Sequence, residues 1–497
     1  MILFIIFPIH LYENIDLIKN INPNYIYIIE EKTYFTKFKF HKIKLCYHHA
    51  TMKYYQDYLV NNEFKCQYFN YDDVSWIKNF KSSTVYMYDP IDHDLRSKLL
   101  LLNKKLSIRD SLSFCEKIEE LYEYQQSFTN QKKYFHDASF YRWQRRRLNI
   151  LIDSQDKPIG KKWSFDKDNR KPFNKSYEEP KILKWSNEYW NNAIKYINKN
   201  FPNNFGEIDD HSLFPLTFEQ NKKHLTQFIK YKLKTFGTFE DAVSSDINFG
   251  SHSLLSTSLN VGLITPEYII KIIIKWYNKN NSYLAQVEAF IRQVIGWRSY
   301  MRFIYEFHGL EMYKENLLLH KNILPKSWLT SNPDSGFDFI NELIIKTWNY
   351  GYLHHIERLM YIGNFSLLLE LDPKEIYKWF MICFSDSYEW VMIPNVMGMS
   401  QYSLKSISMM TRPYFSSSAY IKRMSNLKSE NIIIDNKEYK WEEVWNALYY
   451  NFISSNKDLL KSIYATALQV KNLDKLENNT RKNMISLAKK FISNYIK

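Results

Sequence analysis

At 497 residues the chain is too long for one hydrophobic core and implies two or three domains. Its 67 Lys and Arg against 53 Asp and Glu leave +14 at neutral pH, a balance that suits a polyanionic partner. Cys46, Cys66, Cys115 and Cys383 are far apart and form no C-x-x-C pair, which argues for a reduced, cytoplasmic protein without a disulfide framework. The start MILFIIF ends at Pro8 without a basic segment or a cleavage site, so it reads as a buried strand rather than a leader. No run approaches the roughly 18 to 20 apolar residues of a membrane span, since even IIKIIIKW is broken by lysine.

Residues 1 to about 125 alternate short apolar strands, expected at 2–7, 25–29, 64–69 and 84–88, with helical stretches. That alternation predicts parallel βαβ units, an α/β domain. Neither a G-x-G-x-x-G loop nor a G-x-x-x-x-G-K-[ST] loop follows a strand, which excludes those two phosphate-binding folds. Residues 126 to about 205 read as a connector, rich in interleaved rings and cations such as Phe140-Tyr141-Arg142-Trp143-Gln144-Arg145-Arg146-Arg147. Between Tyr141 and Trp185 stand 13 basic against 6 acidic residues, a net +7, so half the excess charge sits in under a tenth of the chain. Such a stretch can grip nucleic acid or lock a seam between domains.

From about 206 to 497 the spacing predicts an all-α domain. The turn Gly250-Ser251-His252-Ser253-Leu254-Leu255-Ser256 offers hydroxyl and backbone N–H donors at a helix start. The stretch 286–307 predicts one amphipathic helix with Val287, Phe290, Ile291 and Val294 inward and Glu288, Arg292 and Ser299 on another face. Gly296 in its middle costs about 1 kcal/mol against Ala and signals the close approach of something bulky. Residues 351–400 predict two packed helices. The first carries His354, His355 and Arg358 and stops at Gly363-Asn364; the second opens at Asp372-Pro373, carries Trp379, Asp386, Tyr388 and Trp390, and ends before Pro394-Asn395. Together they aim imidazole, carboxylate and indole at one cavity, as suits a planar aromatic cofactor. His354, His355 and Glu357 differ in spacing from H-E-x-x-H and show no third ligand nearby, so no metal site is expected. Asp386 and Glu389 lie among apolar residues without an activated nucleophile, which argues against hydrolysis.

Several stretches carry a family likeness. They are His354-His355-Ile356-Glu357-Arg358-Leu359-Met360, Gly363-Asn364-Phe365, the run from Trp390 to Ser400, and E-x-x-x-R-Q-x-x-G-W-R-x-Y-M-R from Glu288. Ile29 to Phe35 with Phe40-His41-Lys42, and Lys162-Trp163-Ser164-Phe165-Asp166 with Asn169-Arg170, add to them. The pattern resembles the prokaryotic (6-4) photolyases, a bacterial cryptochrome–photolyase group whose known members mostly carry an iron–sulfur cluster. The resemblance implies an antenna domain over 1–125, a connector over 126–205 and a helical FAD-binding catalytic domain over 206–497. It implies light-driven repair of (6-4) photoproducts in UV-damaged DNA by a monomer; the alternative is a cryptochrome-like blue-light photoreceptor with the same fold and flavin.

By the same resemblance, His252, Ser253, Leu255, Ser256, Glu288, Arg292, Trp297, Asp386 and Asn395 hold FAD, and Trp379, Tyr388 and Trp390 pass electrons. His355, with His354 and Arg358 beside it, delivers a proton to the lesion. Pro8, His10, Glu31, Thr33 and Tyr34 face an antenna chromophore, 6,7-dimethyl-8-ribityllumazine, although this chain has Phe7-Pro8-Ile9-His10-Leu11 where relatives often have Gly-Asp-Gln-Leu. Arg358 beside His355 should lower the imidazole pKa until bound DNA reverses the sign. One departure is sharper. The group takes cluster thiolates from its C-terminal half, including a C-x-x-C after R-M-S. Here Arg423-Met424-Ser425 is followed by no cysteine, and Cys383 is the only one in residues 116 to 497. Four thiolates are needed, so no iron–sulfur cluster is expected.

Overall fold

Branched and aromatic residues dominate Ile2–Ile6 and Tyr25–Ile29, the composition of strands buried on both faces. These are β1 and β2 of a five-stranded parallel sheet that continues with β3 (Cys66–Phe69), β4 (Thr84–Tyr88) and β5 (Leu106–Arg109). The computed structural model describes residues 1–127, 137–166, 171–405, 407, 409–410, 412–428 and 430–496. Asn169 and Arg170 of the family-like stretch lie outside the described residues. Strand order is β3-β2-β1-β4-β5. Direction of winding therefore reverses between β1 and β4, and the crevice at their carboxyl ends is where open α/β sheets place ligands. β5 was not expected from the sequence. Leu-Ser-Ile-Arg alternates with polar residues at an edge, partly exposed, and it becomes a strand only through its pairing with β4.

Among the described residues, the regular elements after β5 are helices, with one exception. The expected all-α region contains a hairpin, β6 (Asn431–Ile434) and β7 (Lys437–Lys440), joined through Asp435 and Asn436, both at positive φ. Asn and Asp tolerate that conformation, and Ile432 and Ile434 point inward while Ile433 faces solvent. No helix among the described residues is long and apolar enough to cross a membrane.

Among the described residues, three helices are locally widened into π turns: Arg292–Trp297 within 284–312, Glu357–Gly363 within 355–368, and Ile393–Ser400 at the end of 389–400. π turns are rare and concentrate at functional sites. The expected stop at Gly363-Asn364 is wrong. The helix runs through it, and Gly363 is needed because a Cβ there would collide with Ser400 Oγ of the facing π segment. The expected stop before Pro394 is wrong as well, since the helix passes Pro394 where the π register begins. Gly296 does answer to a bulky neighbour: a Cβ would sit 3.0 Å from the ring of Tyr141.

Trp441 and Trp445, on the helix Trp441–Ser455, are fully buried. Trp445 stacks on Phe365 at 5.5 Å, and Phe365 stacks on Trp328 at 5.8 Å. Tyr449 stands apart from them against Phe415. This aromatic layer ties the C-terminal helices to the elements that bear the site.

Candidate active site

The helix bearing Arg358 starts at His355, not at Gly351. Gly351, at φ 58°, closes the preceding helix Asp338–Tyr350, and Tyr352 to His354 are non-helical. Glu357 reaches back so that its carboxylate accepts the His354 N–H at 3.0 Å, and the His354 carbonyl accepts the Arg358 N–H at 3.1 Å. The Glu357 half of a capping box thus fixes the first turn. Arg358 then forks onto Asp386, with Nη1 2.8 Å from Oδ1 and Nη2 3.1 Å from Oδ2, while its Nε donates to the Leu353 carbonyl at 2.7 Å. The guanidinium lies 4.1 Å over the ring of Phe384 and 5.0 Å over that of Tyr352. Asp386 is not on the helix predicted to carry it. Pro373–Cys383 ends first, and Asp386 sits in the following turn, where Ser256 Oγ donates to its Oδ2 at 2.7 Å. Residues 130 positions apart thus meet on one carboxylate.

His252 stacks on His354, centroids 4.3 Å apart at 13°, and stands edge-on to His355 at 5.3 Å. Burial, with positive neighbours, holds His252 and His354 well below the usual imidazole pKa, so both are neutral. His355 differs. Its side chain is 47% exposed, and Nε2 lies 3.5 Å from Asp241 Oδ1. Desolvation and Arg292 work against its charged form, but the hydrogen bond to Asp241 and the negative charge of Glu240 and Asp241 outweigh them, and the pKa is raised. This overturns the lowering expected from Arg358. That guanidinium is spent on Asp386, and the nearer charges are carboxylates that sequence spacing did not reveal.

Deeper in, Glu288 accepts the Tyr141 hydroxyl and the Phe165 N–H, each at 2.9 Å. Arg292 lies 3.4 to 3.6 Å from oxygens of Glu288, Asp166 and Glu240, and burial pushes the Glu240 pKa up to about 7. Arg292 Nε and Nη2 are buried without a hydrogen-bond acceptor. Trp297 Nε1 donates to Asn395 Oδ1 at 3.1 Å, so these two satisfy one another. In the 250–256 turn, Ser253 Oγ accepts the Leu255 N–H at 3.4 Å, Leu255 is buried, and the His224 ring bonds the Ser253 carbonyl at 2.7 Å. Just before it, three successive N–H groups, of Asn248, Phe249 and Gly250, converge on the Glu179 carboxylate at 2.6 to 2.9 Å. Such a nest holds anions. Of these groups the Arg292 nitrogens are the ones left for an anionic group to satisfy, since a buried donor left unpaired costs about 1 to 3 kcal/mol, whereas the Arg358–Asp386 fork and the 248–250 N–H groups are already paired within the protein.

The electron-transfer candidates separate. Trp379 is buried against Phe384, 5.5 Å away, and its Nε1 donates to the Trp328 carbonyl. Tyr388 and Trp390 instead line a narrow cleft of about 20 Å³ where the sheet meets the helices. Thr33, Tyr34, Lys37, Lys44 and Asp92 also line it. Glu31 caps the helix bearing Thr33, accepting its N–H at 2.5 Å. Pro8 and His10 are buried but are not among the lining residues; His10 is bracketed by the Phe7 N–H and the Asp89 carbonyl, and burial lowers its pKa to about 3.

Lys44 escaped the sequence reading, although a lysine inside IKLCYHHA was a signal. It is fully buried, donates to the Ser387 carbonyl and sits 4.7 Å from the Tyr388 ring. Burial pushes its pKa down to about 7 against the pull of Asp386. An unfolded lysine titrates near 10.4. Between those values the native state binds fewer protons, so this group's contribution to stability rises with pH across the window. Lys44→Met should remove that slope: the melting temperature of wild type, relative to the variant, climbs from pH 7 to about pH 10. A flat difference would show the lysine charged in the native state.

The family described as deoxyribodipyrimidine photo-lyase-related protein matches residues 4–213. A (6-4) photolyase of Agrobacterium fabrum is 29% identical over 470 residues, spanning 91% of each chain. Uncharacterized protein R855 of Acanthamoeba polyphaga mimivirus is 43% identical over 102 residues, 20% of this chain and 76% of that protein. Among solved structures, a bacterial class III photolyase from Agrobacterium tumefaciens aligns with a TM-score of 0.55 at 16% identity, over 85% of this chain and 86% of its own. A Synechocystis sp. PCC6803 cryptochrome aligns at 0.53 and 13%, over 82% and 83%. At those identities the structures speak to the fold, a parallel-sheet domain followed by a helical one.

Proposed function

We propose that the chain is a photolyase-family protein and a DNA photolyase acting on (6-4) pyrimidine photoproducts, a reading supported by its likeness to the photo-lyase-related family over 4–213 and to a (6-4) photolyase over 91% of its length. Bound FAD, reduced and excited by blue light, would supply an electron to the flipped-out lesion. Arg358, Asp386, Ser256 and Arg292 would hold it in the helical part over 206–497. A lumazine antenna, 6,7-dimethyl-8-ribityllumazine, would occupy the interdomain cleft at Thr33, Tyr34 and Tyr388, served by the sheet domain over 1–125. The observation that carries the reading is His355, a half-exposed imidazole whose proton Asp241 and Glu240 favour, beside a buried polar cluster. A proton donor facing solvent is what (6-4) repair demands of the protein, since the transferred oxygen must be returned with a proton. UV-damaged DNA would be gripped through phosphates, consistent with the +14 charge, so binding should weaken steeply with salt. The test is illumination of a duplex with one (6-4) lesion, counting restored pyrimidines per flavin. Restoration supports repair; flavin photochemistry and lesion binding without restoration would leave a cryptochrome-like photoreceptor.

An iron–sulfur cluster has no place in this proposal. All four cysteines are free, and Cys383 is buried. The Trp328–Phe365–Trp445 stack would serve where a cluster otherwise braces the C-terminal helices. Iron analysis of protein purified without air should find no stoichiometric iron; a stoichiometric amount would overturn this.

A further inference from the structure

We propose that His252, His354 and His355 form a binding site for a divalent transition ion of the zinc class, taken when His355 is unprotonated and therefore in competition with proton delivery. Each ring offers a ligand nitrogen, and the three nitrogens lie within 4.8 Å of one another. Tetrahedral zinc with bonds of 2.0–2.1 Å wants such atoms about 3.4 Å apart, a closure of at most about 1.4 Å at the ring tips. Sequence spacing offered only the adjacent pair. The 250–256 turn supplies the third imidazole from a hundred residues away.

Two further observations point to a ligand. His252 Nε2 and His354 Nδ1 are buried without a hydrogen-bond partner, on side chains only 6% and 4% exposed as residues. In each ring the other nitrogen faces an outer acceptor: the Glu240 carbonyl for His252 and Glu357 Oε1, 3.5 Å away, for His354. Asp241 stands likewise at 3.5 Å from His355 Nε2. An imidazole oriented through one nitrogen by a carboxylate or carbonyl, with the other left free, is the usual outer arrangement of a metal-binding histidine. His355 is the half-exposed member, so an ion has a way in from solvent. Water or Asp241 would complete the coordination. The ion would cross-link the 250–256 turn to the start of the 355–368 helix.

Co²⁺ is the probe, added to the purified flavin-loaded protein in the dark without DNA, so the outcome does not depend on repair. Expected are one ion per chain by equilibrium dialysis, visible bands of tetrahedral Co²⁺, and a higher melting temperature. His252→Asn, His354→Asn and His355→Asn should each weaken binding by at least the roughly 10- to 100-fold that an outer partner alone is worth. His355→Asn, on the exposed ring, guards against a folding artefact at the buried two. No Co²⁺ retained by wild type, or undiminished affinity in His355→Asn, would overturn the site.

Discussion

His355→Asn should keep flavin and lesion binding yet lower repair by at least about 100-fold, the usual loss when a general acid is removed. The ring is 47% exposed, so little packing goes with it beyond its edge contact with His252; what is lost besides is a hydrogen bond to Asp241, about 1 kcal/mol. A histidine serving only to pack the helix start would behave the other way, with lower stability and flavin loss but unchanged repair per bound flavin. The raised pKa adds a pH signature. The acid form persists above the ordinary value near 6.5. Repair, and the stability this group contributes, should therefore be fully present below that value and fall as pH rises through the raised native pKa. Asp241→Asn should move the decline to lower pH. Restored pyrimidines per flavin under fixed illumination, across pH 5.5 to 9, measures both. Equal yields for wild type and His355→Asn would remove His355, and His354, buried and held neutral, is no ready substitute.

What the sequence revealed was decided by local pattern. Ile2–Ile6 and Tyr25–Ile29 announce buried parallel strands because both faces must be apolar, and Asp372-Pro373 announces a helix start, which its side chain caps at the Lys374 N–H, 2.8 Å away. β5 and the 431–440 hairpin were missed because their patterns are short and half polar, and only pairing with a neighbour makes them strands. The helix stops at Gly363 and Pro394 were misjudged for one reason. Both residues usually end helices, yet here a π turn accommodates each, and no periodicity of 3.6 forecasts a turn of wider gauge. At the site, residue types were legible and partnerships were not. Arg358 pairs with Asp386 rather than acting on His355, and the charges governing His355 come from Glu240 and Asp241 in a loop without any motif.

The Arg358–Asp386 pair carries the largest expected stability effect. Both side chains are nearly buried, 13% and 8% exposed, and joined by two hydrogen bonds. Arg358→Met should cost about 3 to 5 kcal/mol, because Asp386 would keep its charge with the Ser256 hydroxyl as its chief remaining side-chain donor. Asp386→Leu alone should be costly too, stranding a guanidinium whose remaining support is the Leu353 carbonyl and the faces of Phe384 and Tyr352. The double variant should recover much of the melting temperature, since replacing a buried ion pair by apolar groups of similar volume is often neutral. Flavin retention then separates two roles. If the pair only braces the 384–388 turn, the double variant regains flavin along with stability. If Asp386 and Arg358 hold the flavin's polar edge, stability returns and flavin does not. Melting curves and bound flavin per chain for wild type, the two single variants and the double variant decide it; additive losses in melting temperature would show that the fork contributes nothing as a pair.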